Sequence, residues 1–289
     1  MSSPNERVLD LLNRLTDWAR GNPDVRAMLL IGSRTRADHP ADQWSDVDVV
    51  LGVTDPDPFL NTAEWLEPIA PIWVSHVERT PVPGVVERRV LFDSGFDFDL
   101  IVVHGDSLIQ VIKNEQASGI IRRGMRVLVD KDRIFSRITL PIAPRAIYEP
   151  PTQAAFLNVV NDFWYHAAWM TKKFRRGELW TAVTCNNGYM KDLLLRMIEW
   201  YSRTVGATSD VPWANGRFLE EWADPRAVRE LGGTFAHYDP ADLRRALRAS
   251  MSLFRWLAIE TAFQLNYPYP VEGDAQVSAW VEQQLADET

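Results

Sequence analysis

The chain has 289 residues, of which 46% are hydrophobic and 24% charged, with a formal net charge of −8, a composition that suits one large or two ordinary globular domains. That acidic balance argues against a non-specific nucleic-acid binder, which has to neutralise phosphates, and is compatible with steering of a cationic small molecule. No apolar run is long enough to span a bilayer, Met1–Arg7 lacks the basic start and apolar stretch of a signal peptide, and the lone Cys185 excludes an internal disulfide or a cysteine-rich zinc site, so a cytoplasmic location is expected.

Val8, Leu11, Leu12, Leu15 and Trp18 recur at helical spacing and predict an amphipathic first helix ending near Gly21-Asn22-Pro23. A strand over Val25–Ile31 then delivers the chain to Gly32-Ser33-Arg34, and Asp46–Val53 reads as the next strand. The Asp55-Pro56-Asp57-Pro58 run stops it, and Asn61 with Glu64 suggests a capping box for a short helix through Trp65. Strand-like runs follow at Ile72–Val77, Val85–Phe92 and Phe96–Val103, the last two joined by the turn residues Asp93-Ser94-Gly95. Asp106–Gln116 reads as helix and Arg126–Val129 as a short edge strand. Four prolines between Pro141 and Pro151 suit a linker, because proline fixes φ and disfavours helix at the residue before it. Beyond it only helical patterning remains, over Thr152–Arg176, Trp180–Val205, Asp224–Leu231, Asp239–Asn266 and within Asp274–Ala286. The expected fold class is therefore α+β: a mixed sheet with flanking helices over residues 1–145, followed by an all-helical domain over 146–289.

The chemistry concentrates in the first domain. Asp46 and Asp48 are two apart on a strand and share a face. Among valines and leucines they would repel each other unless a divalent cation or a proton compensated them. A Gly-Ser turn where a strand leads into a helix offers backbone N–H groups to phosphate oxygens, glycine permits close approach, and Ser33 adds a hydroxyl. A third carboxylate comes from the strand holding Asp97 and Asp99. Pattern alone does not choose between these two; Asp99 lies deeper in the apolar run, where an uncompensated charge is more costly, and is favoured as the metal-facing group. Hard Mg²⁺ takes such oxygen ligands. The expected catalytic and metal residues are thus Asp46, Asp48 and Asp99, and the nucleotide-binding residues Gly32, Ser33 and Arg34, whose guanidinium suits a triphosphate. Lys191, on a helix of the second domain, is a further candidate for the nucleotide if the domains close over a cleft. The five histidines (His39, His76, His104, His166, His237) show no metal-ligand spacing.

With Gly32-Ser33-Arg34, Asp46-Val47-Asp48 and Phe98-Asp99-Leu100, the chain resembles the polymerase-β-like nucleotidyltransferases. Asp55–Trp65, Leu91-Phe92-Asp93, Val127–Asp132, Asn161-Asp162-Phe163-Trp164, Leu194–Ile198, Leu253-Phe254-Arg255 and Tyr267–Pro270 are similar to the aminoglycoside 6-adenylyltransferases, also called streptomycin adenylyltransferases. That resemblance spans most of the chain. It implies a nucleotidyltransferase-type sheet and transfer of AMP from ATP to a hydroxyl of streptomycin or a related aminoglycoside, with release of pyrophosphate. It further implies Mg²⁺ held by Asp46 and Asp48, with Asp99 completing the metal site or helping to take the hydroxyl proton. Asp162 and Trp164 are the expected acceptor contacts, since a polycation favours carboxylates and aromatic faces. His104-Gly105 and the segment after Gly206 depart from the typical pattern. The alternative expectation is a nucleotidyltransferase acting on another small molecule or on a partner protein.

Overall fold

A computed structural model describes residues 4–36, 40–114, 121, 124–135, 149–206 and 214–286. His39, the end of the helix expected through Gln116, and the linker prolines Pro141 and Pro144 lie outside the described residues. The chain divides into two compact units, Met1–Pro144 and Arg145–Thr289.

The first unit opens with helix α1 (Pro4–Gly21), whose Val8, Leu11, Leu12 and Leu15 form the buried stripe that the spacing predicts; Trp18, expected with them, is partly buried, and Ala19 beside it is fully buried. Strands β1 (Val25–Ile31), β2 (Val47–Val53), β3 (Ile72–Arg79), β4 (Val86–Phe92), β5 (Asp97–His104) and β6 (Arg126–Asp130) form one sheet in the order β3-β4-β5-β2-β1-β6. The β2–β5 pair is parallel and the other pairs are antiparallel, so the sheet is mixed. Alternate residues divide its two faces. Val47, Val49 and Leu51 of β2, Phe98, Leu100 and Val102 of β5, and Val90 and Phe92 of β4 join α1 in one core. On the other face, Leu108 and Ile112 of helix α3 (Leu108–Lys113) cover Ala27, Leu29, Val50 and Val103. The same face carries Asp48 and Asp99 at the amino ends of the parallel pair.

A short helix α2 (Asp57–Asn61) begins just after Pro56, and Asn61 closes it instead of capping a following helix. The expected capping box is not formed: Thr62 Oγ1 accepts the Glu64 N–H at 3.2 Å, and a single 3₁₀ turn follows. Proline at the start of α2 supplies a fixed φ and lacks only a donor that a first turn leaves unpaired anyway.

The second unit contains α4 (Gln153–Arg175), α5 (Leu179–Thr184), α6 (Met190–Thr204), α7 (Leu219–Trp222), α8 (Pro225–Leu231), α9 (Pro240–Leu265) and α10 (Val271–Ala286). Phe156, Phe163, Met197 and Phe254 are fully buried in its core, and the rings of Phe163 and Phe254 stack with centroids 3.7 Å apart. The helix expected over Trp180–Val205 is interrupted by a π-helical turn at Cys185–Tyr189. Asn186 and Asn187 explain the break, because their side-chain amides donate to Thr234 O (3.0 Å) and Ala236 O (2.8 Å) of a neighbouring loop. Among the described residues no helix is long and apolar enough to cross a membrane.

Candidate active site

Strand β1 ends at Ile31, and a single 3₁₀ turn over Gly32–Thr35 reverses the chain toward the polar loop before β2. Gly32 has φ of +73°, and a Cβ at this position would lie 1.8 Å from Asp48 Oδ2. Both backbone conformation and space therefore demand glycine. Ser33 Oγ is buried and has no hydrogen-bond partner among the described residues. A buried hydroxyl left unpaired in the turn that follows β1 suits an oxygen-rich ligand better than an empty apolar contact.

Register places Asp48 directly opposite Asp99 in the parallel pair. With Asp46, these residues can each direct a carboxylate oxygen so that all three lie within 4.8 Å of one another. Burial first, and then the charges of Asp46 and Asp99, push the Asp48 carboxyl up to about 7. Burial likewise raises Asp99 to about 6, against the pull of Arg89. The donor set fits a hard divalent cation: three convergent carboxylates, two of them reluctant to ionise without one. Asp97, by contrast, is exposed and stands apart from this group.

Arg34 is turned inward. Its Nε donates to Asp46 O at 3.0 Å and its Nη2 to Ser45 O at 2.6 Å. Burial holds its pKa below the usual arginine value, while Asp46 and Asp42 pull the other way.

Next to the triad the sequence pattern concealed a second charged group. Arg89 on β4 sits opposite Asp99, and its Nη2 lies 3.3 Å from Asp99 Oδ2. Its Nε donates to Glu87 at 3.0 Å and pairs with Glu78 at 2.7 Å. Glu87 is buried and its pKa is raised by that burial, with Arg89 opposing the rise. The alternation of Glu87 and Arg89 on one face of β4 was the available signal, but the sequence gives no strand order to set them beside Asp99.

The streptomycin adenylyltransferase family model matches residues 6–284. The chain belongs to that family. As a member of the streptomycin adenylyltransferases it is an enzyme of the nucleotidyltransferase type. It is 26% identical over 276 residues to an aminoglycoside 6-adenylyltransferase of Campylobacter jejuni, covering 92% of this chain and 91% of that protein. It is 23% identical over 279 residues to the Bacillus subtilis aminoglycoside 6-adenylyltransferase, covering 90% and 92% of the two chains. A crystal structure of an aminoglycoside 6-adenyltransferase from Bacillus subtilis aligns over 99% of this chain and all of that one, with TM-score 0.46 and 21% identity.

In this streptomycin adenylyltransferase family member the helical unit places the remaining expected residues differently from one another. Lys191 is buried; its Nζ donates to Asn186 O (2.9 Å) and Ser250 Oγ (3.0 Å) and lies 5.2 Å from the Phe235 ring centroid. Burial lowers its pKa to about 7. The nucleotide contact expected of Lys191 would require this ammonium to leave two protein acceptors in the helical core. Trp164 is 3% exposed, stacks edge-on against Phe163 and donates from Nε1 to Tyr269 OH at 3.2 Å. It is a core residue without an open face for an acceptor. Asp162 is only partly buried, receiving the Tyr189 hydroxyl at 2.8 Å and lying 2.7 Å from His166 Nδ1. Tyr189 and Tyr165 beside it are exposed, and sequence reasoning named neither.

Proposed function

We propose that this chain transfers AMP from ATP to a hydroxyl of an aminoglycoside, streptomycin or a close relative, in an Mg²⁺-dependent reaction that releases pyrophosphate. The observation that carries the proposal is the convergence of Asp46, Asp48 and Asp99 beside a glycine-serine turn with an unpaired buried hydroxyl. Family membership and the names of the relatives support the aminoglycoside as acceptor.

In this proposal Asp46, Asp48 and Asp99 hold the metal, which when bound supplies charge neutralisation for the phosphates. Gly32 and Ser33 receive the triphosphate, through the close backbone approach that glycine permits and through Ser33 Oγ. Asp99 completes the metal site or helps to take the proton of the attacking hydroxyl. Most of the rate enhancement then comes from position and charge, as befits phosphoryl transfer. The helical unit contributes Asp162, with Tyr189 and Tyr165, as the contact for a cationic group of the acceptor.

The test is incubation of the full chain with ATP, Mg²⁺ and a panel of aminoglycosides, followed by mass spectrometry of the drugs. One or more drugs should gain the mass of AMP as pyrophosphate appears. ATP binding with no modified drug across the panel would transfer the reaction to another acceptor, a different small molecule or a protein.

A further inference from the structure

The guanidinium of Arg34 lies one residue beyond the glycine-serine turn, where a cation is expected to meet phosphate, yet it points at protein. Its two hydrogen bonds go to the consecutive carbonyls of Ser45 and Asp46. The segment they hold is itself a closed turn. Asp42 Oδ1 accepts from Trp44 N and from Ser45 Oγ, both at 2.9 Å, and Ser45 Oγ accepts from Asp42 N at 3.0 Å. Asp46 is therefore fixed at the end of a turn locked on one side by Asp42 and on the other by Arg34. This matters because Asp46 precedes β2 and has no register partner in the sheet among the described residues. Asp48 and Asp99, by contrast, are set by sheet register.

We infer that Arg34 is a positioning residue: it holds the Asp46 carboxylate in the metal site through the Ser45–Asp46 backbone, in place of contacting the nucleotide. The inference rests on the proposed metal-dependent reaction. Arginine suits this task because its planar fork presents parallel N–H groups at fixed spacing, which two successive carbonyls accept and a lysine ammonium does not reproduce. Its partial burial, away from bulk water, makes each of these bonds to a charged donor stronger than a surface one. Removing a group that orients a metal ligand typically costs about 10–100-fold in metal affinity.

The experiment measures Mn²⁺ binding to the nucleotide-free full chain by the loss of the free-ion electron paramagnetic resonance signal. Steady-state kinetics with ATP at limiting and at saturating Mg²⁺ accompany it. Arg34→Ala and Asp42→Ala should each weaken Mn²⁺ binding by about tenfold or more. Both should lower activity at limiting Mg²⁺ and regain most of it at saturating Mg²⁺, with little change in the KM for ATP. Asp42→Asn, which keeps the acceptor oxygen, and Arg34→Lys, which keeps the charge, separate geometry from electrostatics: the first should resemble the parent and the second should resemble Arg34→Ala. Unchanged Mn²⁺ affinity in Arg34→Ala, with a raised KM for ATP at saturating Mg²⁺, would overturn the inference and return Arg34 to the triphosphate. Failure of the parent protein itself to bind Mn²⁺ would instead remove the metal site on which both proposals stand. Circular dichroism melts of each variant distinguish lost positioning from lost fold.

Discussion

Replacing Asp48 by Asn removes a charge that the fold holds between Asp46 and Asp99 on a half-buried strand end. Its shape is nearly kept, so the contact with Gly32 survives, and the new amide can donate to the neighbouring carboxylates. The charged form is unfavourable because burial and two like charges oppose it, and the carboxyl accordingly rises from its ordinary 3.8 to about 7. At ~1.4 kcal/mol for each tenfold change in proton affinity, that rise corresponds to about 4 kcal/mol of destabilisation once the group is ionised. Partial solvent access lowers the figure, and ~2–4 kcal/mol is the expected gain in stability for the variant in chelator at about pH 8. The direction with pH follows from proton counting. Below the unfolded pKa both states hold the proton and the two proteins differ little. Between about pH 4 and 7 the unfolded chain releases a proton that the folded chain keeps, so the parent loses stability as pH rises. Asp99, raised to about 6, adds to the same slope. Urea denaturation of both proteins across this range in chelator, repeated with Mg²⁺, reads the effect. The parent should recover with Mg²⁺ through binding to the folded state alone, while the variant should gain less and transfer no AMP. A variant no more stable than the parent at alkaline pH in chelator would refute the charge-strain account of the triad.

Gly32→Ala introduces a Cβ at 1.8 Å from Asp48 Oδ2 in a left-handed backbone. It should lose about 1–3 kcal/mol in urea denaturation and displace the carboxylate, and normal AMP transfer in this variant would contradict the geometry. Lys191→Met should abolish a pH dependence: the buried ammonium, lowered to about 7, makes the parent gain stability from about pH 7 to 10 as the unfolded chain alone stays protonated. A parent–variant difference that is flat over that range would show that Lys191 is hydrated. Tyr189→Phe withdraws the hydroxyl that donates to Asp162 at 2.8 Å, and Asp162→Asn withdraws the charge. In steady-state assays both should raise the KM for the aminoglycoside by about tenfold, the scale of one hydrogen bond to a charged group, and leave that for ATP unchanged; equal effects on both substrates would remove Asp162 from the acceptor site.

Much of the site is legible along the chain because its parts are local. A glycine-serine turn after an apolar strand, then Asp46 and Asp48 at a spacing of two, follow from backbone sterics and strand period alone. Apolar periodicity likewise located α1, all six strands and the helical second half. Periodicity misplaced elements where side chains from elsewhere decide the backbone: Asn186 and Asn187 bond a loop some fifty residues away and open the π-helical turn, and Asn61 ends α2 instead of starting a helix.

By itself the sequence determined which residue types were on hand for the chemistry and which strands carried them. Only tertiary structure decided which of them meet. Parallel pairing of β2 with β5 set Asp48 against Asp99 and left Asp97 exposed, and antiparallel pairing of β4 with β5 brought Arg89 onto Asp99. The same holds for the cations: Arg34 and Lys191 were legible as charges, but the folded turn alone sets the Ser45 and Asp46 carbonyls against Arg34, and helix packing alone brings Ser250 Oγ beside the Asn186 carbonyl as the second acceptor for Lys191. Local sterics act over a few residues and are written in order along the chain, whereas strand order, burial and electrostatic coupling depend on contacts that exist only after it has folded.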